Sequence, residues 1–164
     1  MDETRSLFEP GGPVFHAVEM DLAAFRAQAP SLRARHAATL VRTLDGAQCR
    51  TALAFFGTIA AALEFPTDRV GWNILNDRLH DLTWLPAPGY LLLVEEAGSF
   101  LADEADTVLG HWHEIMALHL AQRYTPGRPV APRKVLMQVE PGGMEGLLAR
   151  WARIGAQVSV VGHD

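Results

Sequence analysis

One cysteine, Cys49, stands in 164 residues, so the chain has no internal disulfide. That scarcity favours a reducing compartment. Basic residues are also few, 14 lysines and arginines against 19 aspartates and glutamates, a formal net charge of -5. Nonspecific nucleic-acid binding needs basic side chains to displace phosphate counterions, so this balance argues against a direct nucleic-acid partner. It suits a basic protein partner, because complementary charge speeds encounter. Long apolar runs are missing too. The longest, Ala52 to Leu63, falls short of the ~20 residues of a membrane helix. The opening MDETRS has no apolar core behind it, so no secretory signal and no membrane partner are expected, and a cytoplasmic location is.

Catalytic signatures are equally scarce. Gly11-Gly12, Gly71 and Gly142-Gly143 are scattered turns, and none forms G-x-G-x-x-G or a Walker loop after a strand. No G-x-S-x-G surrounds a serine. His111-Trp112-His113-Glu114 places its histidines about 200° apart on a helix, so they cannot share one metal, whereas H-E-x-x-H spaces them by four. His111 and Glu114 share a face, but two ligands do not make a site. Cys49 has no motif around it and reads as a small buried thiol. The expectation is therefore no catalytic residue, no cofactor and no metal.

What is present describes one soluble globular domain, with 49% hydrophobic and 20% charged residues. Residues up to Gly12 read as a loose lead-in. Val14 to Val18 alternates weakly, as a short edge strand does. Asp21 offers an N-cap for a helix over Leu22 to Gln28, which Pro30 stops. Ala37 to Leu44 reads as a strand and Asp45-Gly46 as a turn. Gln48 to Phe65 is a strongly apolar helix with a stripe of Phe55 or Phe56, Ile59 and Leu63. Phe65-Pro66 closes it. Gly89 to Glu95 (GYLLLVE) is a continuous apolar run, the pattern of a strand buried on both faces. Leu101 to Tyr124 is the longest helical pattern, and the prolines of Thr125 to Pro132 make a loop. Lys134 to Val139 is a strand, Met144 to Arg153 an amphipathic helix, and Gln157 to Val161 a last strand. Strands alternating with helices predict an α/β fold, a small, mainly parallel sheet covered by helices.

The segment that carries most information is FPTDRVGWNILNDRLHDLTWLP, Phe65 to Pro86. A helix is predicted from Trp72 to about Leu82. Trp72, Leu75, Leu79 and Leu82 fall on one face as a core stripe. Asn73, Asp77, His80 and Trp84 fall on another, with Asp81 at its edge. A tryptophan beside carboxylates has the composition of an interface anchor. The residues leave a second reading open, in which the chain turns at Trp84 and its indole tucks into the core.

AAALEFP (Ala60 to Pro66), GWNILNDRLHDLTWLP (Gly71 to Pro86) and YLLLV (Tyr90 to Val94), in this order, resemble the barstar family, the small intracellular inhibitors of microbial ribonucleases. The resemblance implies a parallel sheet covered by helices. It implies a protein partner, a basic ribonuclease, whose active-site cleft receives a helix and the adjoining loop. The family's principal acidic residue matches Asp77, which takes the place of a substrate phosphate. Trp84 matches a tryptophan just past that helix, and Glu114 an acidic contact on the longer helix. Asn73, His80 and Asp81 are neighbours on the same face. The chain departs from the family at Asn73, where a second acid is common. It also departs at Asn76, where some members carry an aromatic residue, at Asp68-Arg69-Val70, and by an insertion near Leu82.

The expected organisation is a barstar-like α/β core over residues 37–140. A strand-and-helix extension over 1–36 precedes it, and a helix and strand over 141–164 pack on the same domain. Spacing assigns the family's final strand to Lys134 to Val139. The expected function is ribonuclease inhibition. The alternatives are an interaction module on this fold without a nuclease target, and a small hydrolase or transferase using His111 and Glu114, with or without Cys49.

Overall fold

The structure is a computed structural model that describes residues 7–8, 11–67, 69–119 and 131–162. The elements run β1 (Phe15–Glu19), α1 (Leu22–Arg35), β2 (Thr39–Asp45), α2 (Ala52–Ala62), α3 (Trp72–His80), β3 (Gly89–Glu95), α4 (Asp106–His113), β4 (Arg133–Val139), α5 (Met144–Arg153) and β5 (Val158–Val160). A π-helix, Glu114–His119, continues α4. The strands form one sheet in the order β2-β3-β4-β1-β5, and every pairing is parallel.

The sheet is covered unequally. On one face Phe55 and Ile59 of α2, Leu75 and Leu79 of α3, Leu109 and Trp112 of α4, and Leu147 and Trp151 of α5 pack on Leu44, Leu92, Val94, Val135 and Met137. On the other, Phe25, Ala29 and Leu32 of α1 and the side chain of Leu7 cover Val18, Val41, Leu91, Leu93 and Leu136. β3 thus buries alternate side chains on both faces, which is why its sequence shows no polar alternation.

Several expectations need correction. β1 is not an edge strand, for it lies between β4 and β5. Its Phe15, His16, Ala17 and Val18 are all buried, and a weak alternation conceals this because both faces are covered. Leu7, within the supposed loose lead-in, is 1% exposed. Pro30 does not stop α1, which continues to Arg35. Phe25, Ala29 and Leu32 continue one buried stripe across the proline, and that packing outweighs a lost amide donor. Helix α2 begins at Ala52, after a 3-10 turn over Gly46–Gln48, with the Thr51 hydroxyl capping the Ala54 amide at 3.2 Å. The long helix predicted from Leu101 starts only at Asp106. Leu101 has φ +52 and donates to the Cys49 carbonyl at 2.7 Å, which ties the preceding turn to the approach to α2. The last residues of that predicted helix, 120–124, and most of the predicted loop, 125–130, lie outside the described residues.

At the carboxyl ends of β1 and β4 the chain leaves towards opposite edges and opposite faces of the sheet, through α1 and α5. This is the switch point at which open parallel sheets commonly bind anionic ligands. Here the chain's own carboxylates occupy it. Glu140, after β4, accepts from the Leu22 amide at the start of α1 at 3.1 Å, and Glu19, ending β1, accepts from the Met144 amide at the start of α5 at 3.0 Å.

Candidate functional site

Helix α3 is held by its apolar stripe. Leu75 and Leu79 are buried, and so is Leu82 beyond the helix end. Trp72 is half-buried and lies edge-on to Phe56, with ring centroids 4.9 Å apart, and 5.6 Å from the His111 ring of α4. The helix ends at His80, not Leu82. Asp81 turns to φ -116, ψ 99, and its carboxylate accepts from the Thr83 amide at 3.2 Å. An aspartate side chain that bonds the backbone two residues on competes with helix continuation.

The outer face carries most of the sequence-predicted residues. Asn73, Asp77 and Asp81 are exposed. Among the described residues the Asp77 carboxylate has no hydrogen bond or ion pair, which leaves it free to accept from outside. His80 is half-buried. Its Nδ1 lies 2.6 Å from the Asn76 carbonyl, and its Nε2 is buried with no partner among the described residues.

Trp84 follows the second of its two readings, with the chain turning and the indole tucked inward. Its Nε1 donates to the Leu63 carbonyl at 3.0 Å and its ring meets Phe65 edge-on at 5.8 Å. It is nevertheless only half-buried, and Arg78 lies 5.6 Å from its centroid. A guanidinium so placed is attracted by the ring's negative face.

From beneath, the segment is gripped by the sheet. Arg133, first in β4, donates through Nε to the Leu79 carbonyl at 2.7 Å and through Nη1 to the Ala131 carbonyl at 2.6 Å. Burial pushes its pKa below the usual arginine value. Tyr90, its neighbour in β3, donates its hydroxyl to the Leu85 carbonyl at 2.6 Å and accepts from the Ala87 amide at 3.1 Å. Sequence reasoning gave no role to Arg133, Tyr90 or Arg78. The available signal was a long polar side chain at the start of each of two apolar strands, but only strand order makes those strands neighbours.

Glu114 is exposed at the start of the π turn, 3.9 Å from Nδ1 of His111. His111 in turn touches Trp72, so α4 and the amino end of α3 form one surface. The residues of the hydrolase alternative do not assemble. Cys49 is buried, and burial pushes its thiol pKa up, away from the reactive thiolate. No group of three or more histidines, cysteines, aspartates or glutamates among the described residues is placed to hold a metal. His111 and Glu114 line neither the small cavity beneath α3 nor the open groove beside α2.

The Barstar family, described as barnase inhibitor, matches residues 39–133, more than half of the chain. The chain belongs to this family. The match runs from β2 through α3 and Trp84 to Arg133, so it contains the whole surface described above. Barstars are inhibitors, not enzymes. No curated protein matches the chain.

Among solved structures, Cdc6p from Pyrobaculum aerophilum superposes with a TM-score of 0.59 at 14% identity, covering 96% of this chain and 42% of that one. The Aeropyrum pernix ORC2 protein in its ADPNP-ADP complexes gives 0.58 at 10% identity, covering 96% and 44%. Drosophila ORC bound to poly(dA/dT) DNA and Cdc6 gives 0.56 at 14%, covering 97% and 28%. This barstar chain therefore spans less than half of each, and the likeness is one of fold. Its own β1–α1 turn is Met20-Asp21, without a glycine-rich loop, and Glu19 and Glu140 occupy the switch point.

Proposed function

We propose that this barstar-family chain is an inhibitor, or immunity protein, that binds a basic microbial ribonuclease and blocks its active site with the outer face of α3 and the following loop. Asp77 is the principal contact, Trp84 the aromatic one, and Asn73, His80, Asp81 and Glu114 border them. The observation that carries the reading is the exposed Asp77 carboxylate, unpartnered among the described residues, on a helix inside the family match. A carboxylate fixed in this way resembles a substrate phosphate in charge and in its acceptor geometry towards arginine. In this reading residues 37–140 are the inhibitory core, and 1–36 and 141–164 are additions to it. An inhibitor that protects its own cell acts in the cytoplasm, and among the described residues no helix is long and apolar enough to cross a membrane.

One observation favours a second reading, an interaction module without a nuclease target. Asn73 stands where a second acid is common, and Arg78 lies on Trp84, so the face is less acidic than a strongly basic cleft demands.

Titration of barnase activity with the wild-type chain and with Asp77→Ala tests the proposal. Inhibition by the wild type, weakened at least ~30-fold in the variant, is expected of a hot-spot carboxylate. The same titration is then run on basic ribonucleases purified from the source organism. Equal inhibition by both proteins moves the contact away from Asp77. No inhibition of any of these ribonucleases favours the second reading.

A further inference from the structure

The segment from the end of α3 to β3 carries Asp81 and Trp84, yet among the described residues only its Thr83, Leu85 and Ala87 amides find acceptors after Asp81 itself: the Asp81 carboxylate, the Leu82 carbonyl and the Tyr90 hydroxyl. A loop so short of its own backbone bonds depends on outside partners to hold one shape. Two side chains of the sheet supply them. Arg133 takes the Leu79 carbonyl, one of the carbonyls that a helix end leaves without an intrahelical donor. Its cationic head also opposes the negative end of the α3 dipole. The Tyr90 hydroxyl donates its proton to the Leu85 carbonyl and accepts from the Ala87 amide. Arg133 and Tyr90 are paired in register, and the guanidinium lies 5.1 Å from the Tyr90 ring centroid, so each also holds the other in place. The grip therefore closes on both ends of 80–87.

We propose that Arg133 and Tyr90 are positioning residues for recognition. From the starts of β4 and β3 they set the path of 80–87, and with it the place of Trp84 relative to Asp77, so the surface meets its partner preformed. This rests on the reading of α3 and its loop as the contact surface. Preformed loops lose less freedom on binding, so loosening the grip costs affinity even though neither residue need touch the partner. Arginine is specific here. A lysine keeps the charge but cannot fork to Leu79 and Ala131 while stacking on Tyr90.

Amide hydrogen exchange on the full chain, with Tyr90→Phe and Arg133→Lys beside the wild type, reads the grip without any partner. At least 10-fold faster exchange is expected at Thr83, Leu85 and Ala87 in Tyr90→Phe, and at Asp81 in Arg133→Lys. The core amides of Leu91 and Leu93 serve as the control for a general loss of stability and are expected to stay unchanged. In 5-fluorotryptophan-labelled protein the Trp84 resonance shifts or broadens while the other tryptophans hold still. With barnase as the probe, Tyr90→Phe is expected to lower affinity about 10-fold. Unchanged exchange over 81–87 in both variants overturns the proposal, as does loosened exchange accompanied by wild-type affinity for barnase. A wild type that ignores barnase but shows the exchange pattern overturns the choice of partner and leaves the grip standing.

Discussion

Glu19 and Glu140 cap each other's helices. Each ends or follows one of two neighbouring strands, β1 and β4, and each accepts from the first amide of the helix that leaves the other strand, at 3.0 and 3.1 Å. A carboxylate at a helix amino end satisfies an orphan donor and opposes the positive end of the dipole. Removing one cap costs about 1 kcal/mol, so Glu19→Ala with Glu140→Ala is expected to lose about 2 kcal/mol in urea unfolding. ADP is expected to leave the melting temperature of the wild type unchanged, because the anion position is already filled. A clear upward shift with ADP contradicts this account of the switch point.

Asp77→Ala is expected to separate binding from folding. The side chain is exposed and makes no hydrogen bond or ion pair among the described residues, so stability changes by less than about 0.5 kcal/mol. Inhibition of the partner ribonuclease falls by more than about 2 kcal/mol. Glu145→Ala, an exposed acid on α5, leaves inhibition unchanged. Thermal melts and inhibition titrations on the same samples check both halves.

Acid is expected to weaken the fold through His16. Its ring is 0% exposed. Burial pushes its pKa below 6.5 and Lys134 adds to this, against a smaller upward pull from the Pro13 carbonyl. The unfolded chain therefore binds a proton more readily than the folded one. The stability from neutral His16 is complete above pH ~6.5 and is lost as pH falls towards the lower folded value, at up to about 1.4 kcal/mol per pH unit. His113, also lowered by burial, adds a loss of the same sign. Urea unfolding at pH 7.5 and 5.5 measures the slope, and His16→Gln is expected to flatten it.

Gly46→Ala is expected to be among the most damaging single substitutions. An added Cβ meets the Glu95 carbonyl oxygen at 2.4 Å and that of Glu96 at 2.5 Å. Both are backbone atoms, one at the end of β3 and one in the turn that follows, and neither can swing aside. A loss of about 3 kcal/mol in chemical denaturation is the expected result. Gly57→Ala, on the open side of α2 with no atom within 4 Å, stabilises slightly.

Cys49 is expected to stay silent towards a water-soluble disulfide reagent until the protein unfolds. It is buried and its pKa is raised by burial. A thiol that reacts in native buffer as fast as in urea contradicts the buried assignment.

Much of this architecture is legible in local pattern. The strand at Gly89–Glu95 and the helix at Met144–Arg153 coincide with the residues that periodicity singles out. The core side of α3 and the exposure of Asp77 follow from 100° per residue. These features depend on neighbours within one or two turns, and their information lies in a short window. Pro30 inside α1, β1 between β4 and β5, and the burial of Leu7 were not legible, because each depends on packing by residues far along the chain.

The order of residues along the chain settled the α/β class, the acidic and aromatic composition of α3, the family and the single buried thiol, since all of these are written in composition and short-range spacing. Tertiary structure decided the rest. It placed Arg133 beside Tyr90, 43 positions away in register, under the end of α3. It turned Trp84 inward onto Leu63 while leaving Asp77 free, and it put Glu19 and Glu140 on each other's helices. The Arg133–Tyr90 pair and the two exchanged caps join strands or helices whose adjacency arises only when the sheet closes in the order β2-β3-β4-β1-β5. A hydrogen bond acts across about 3 Å of space, whatever the length of chain between its partners.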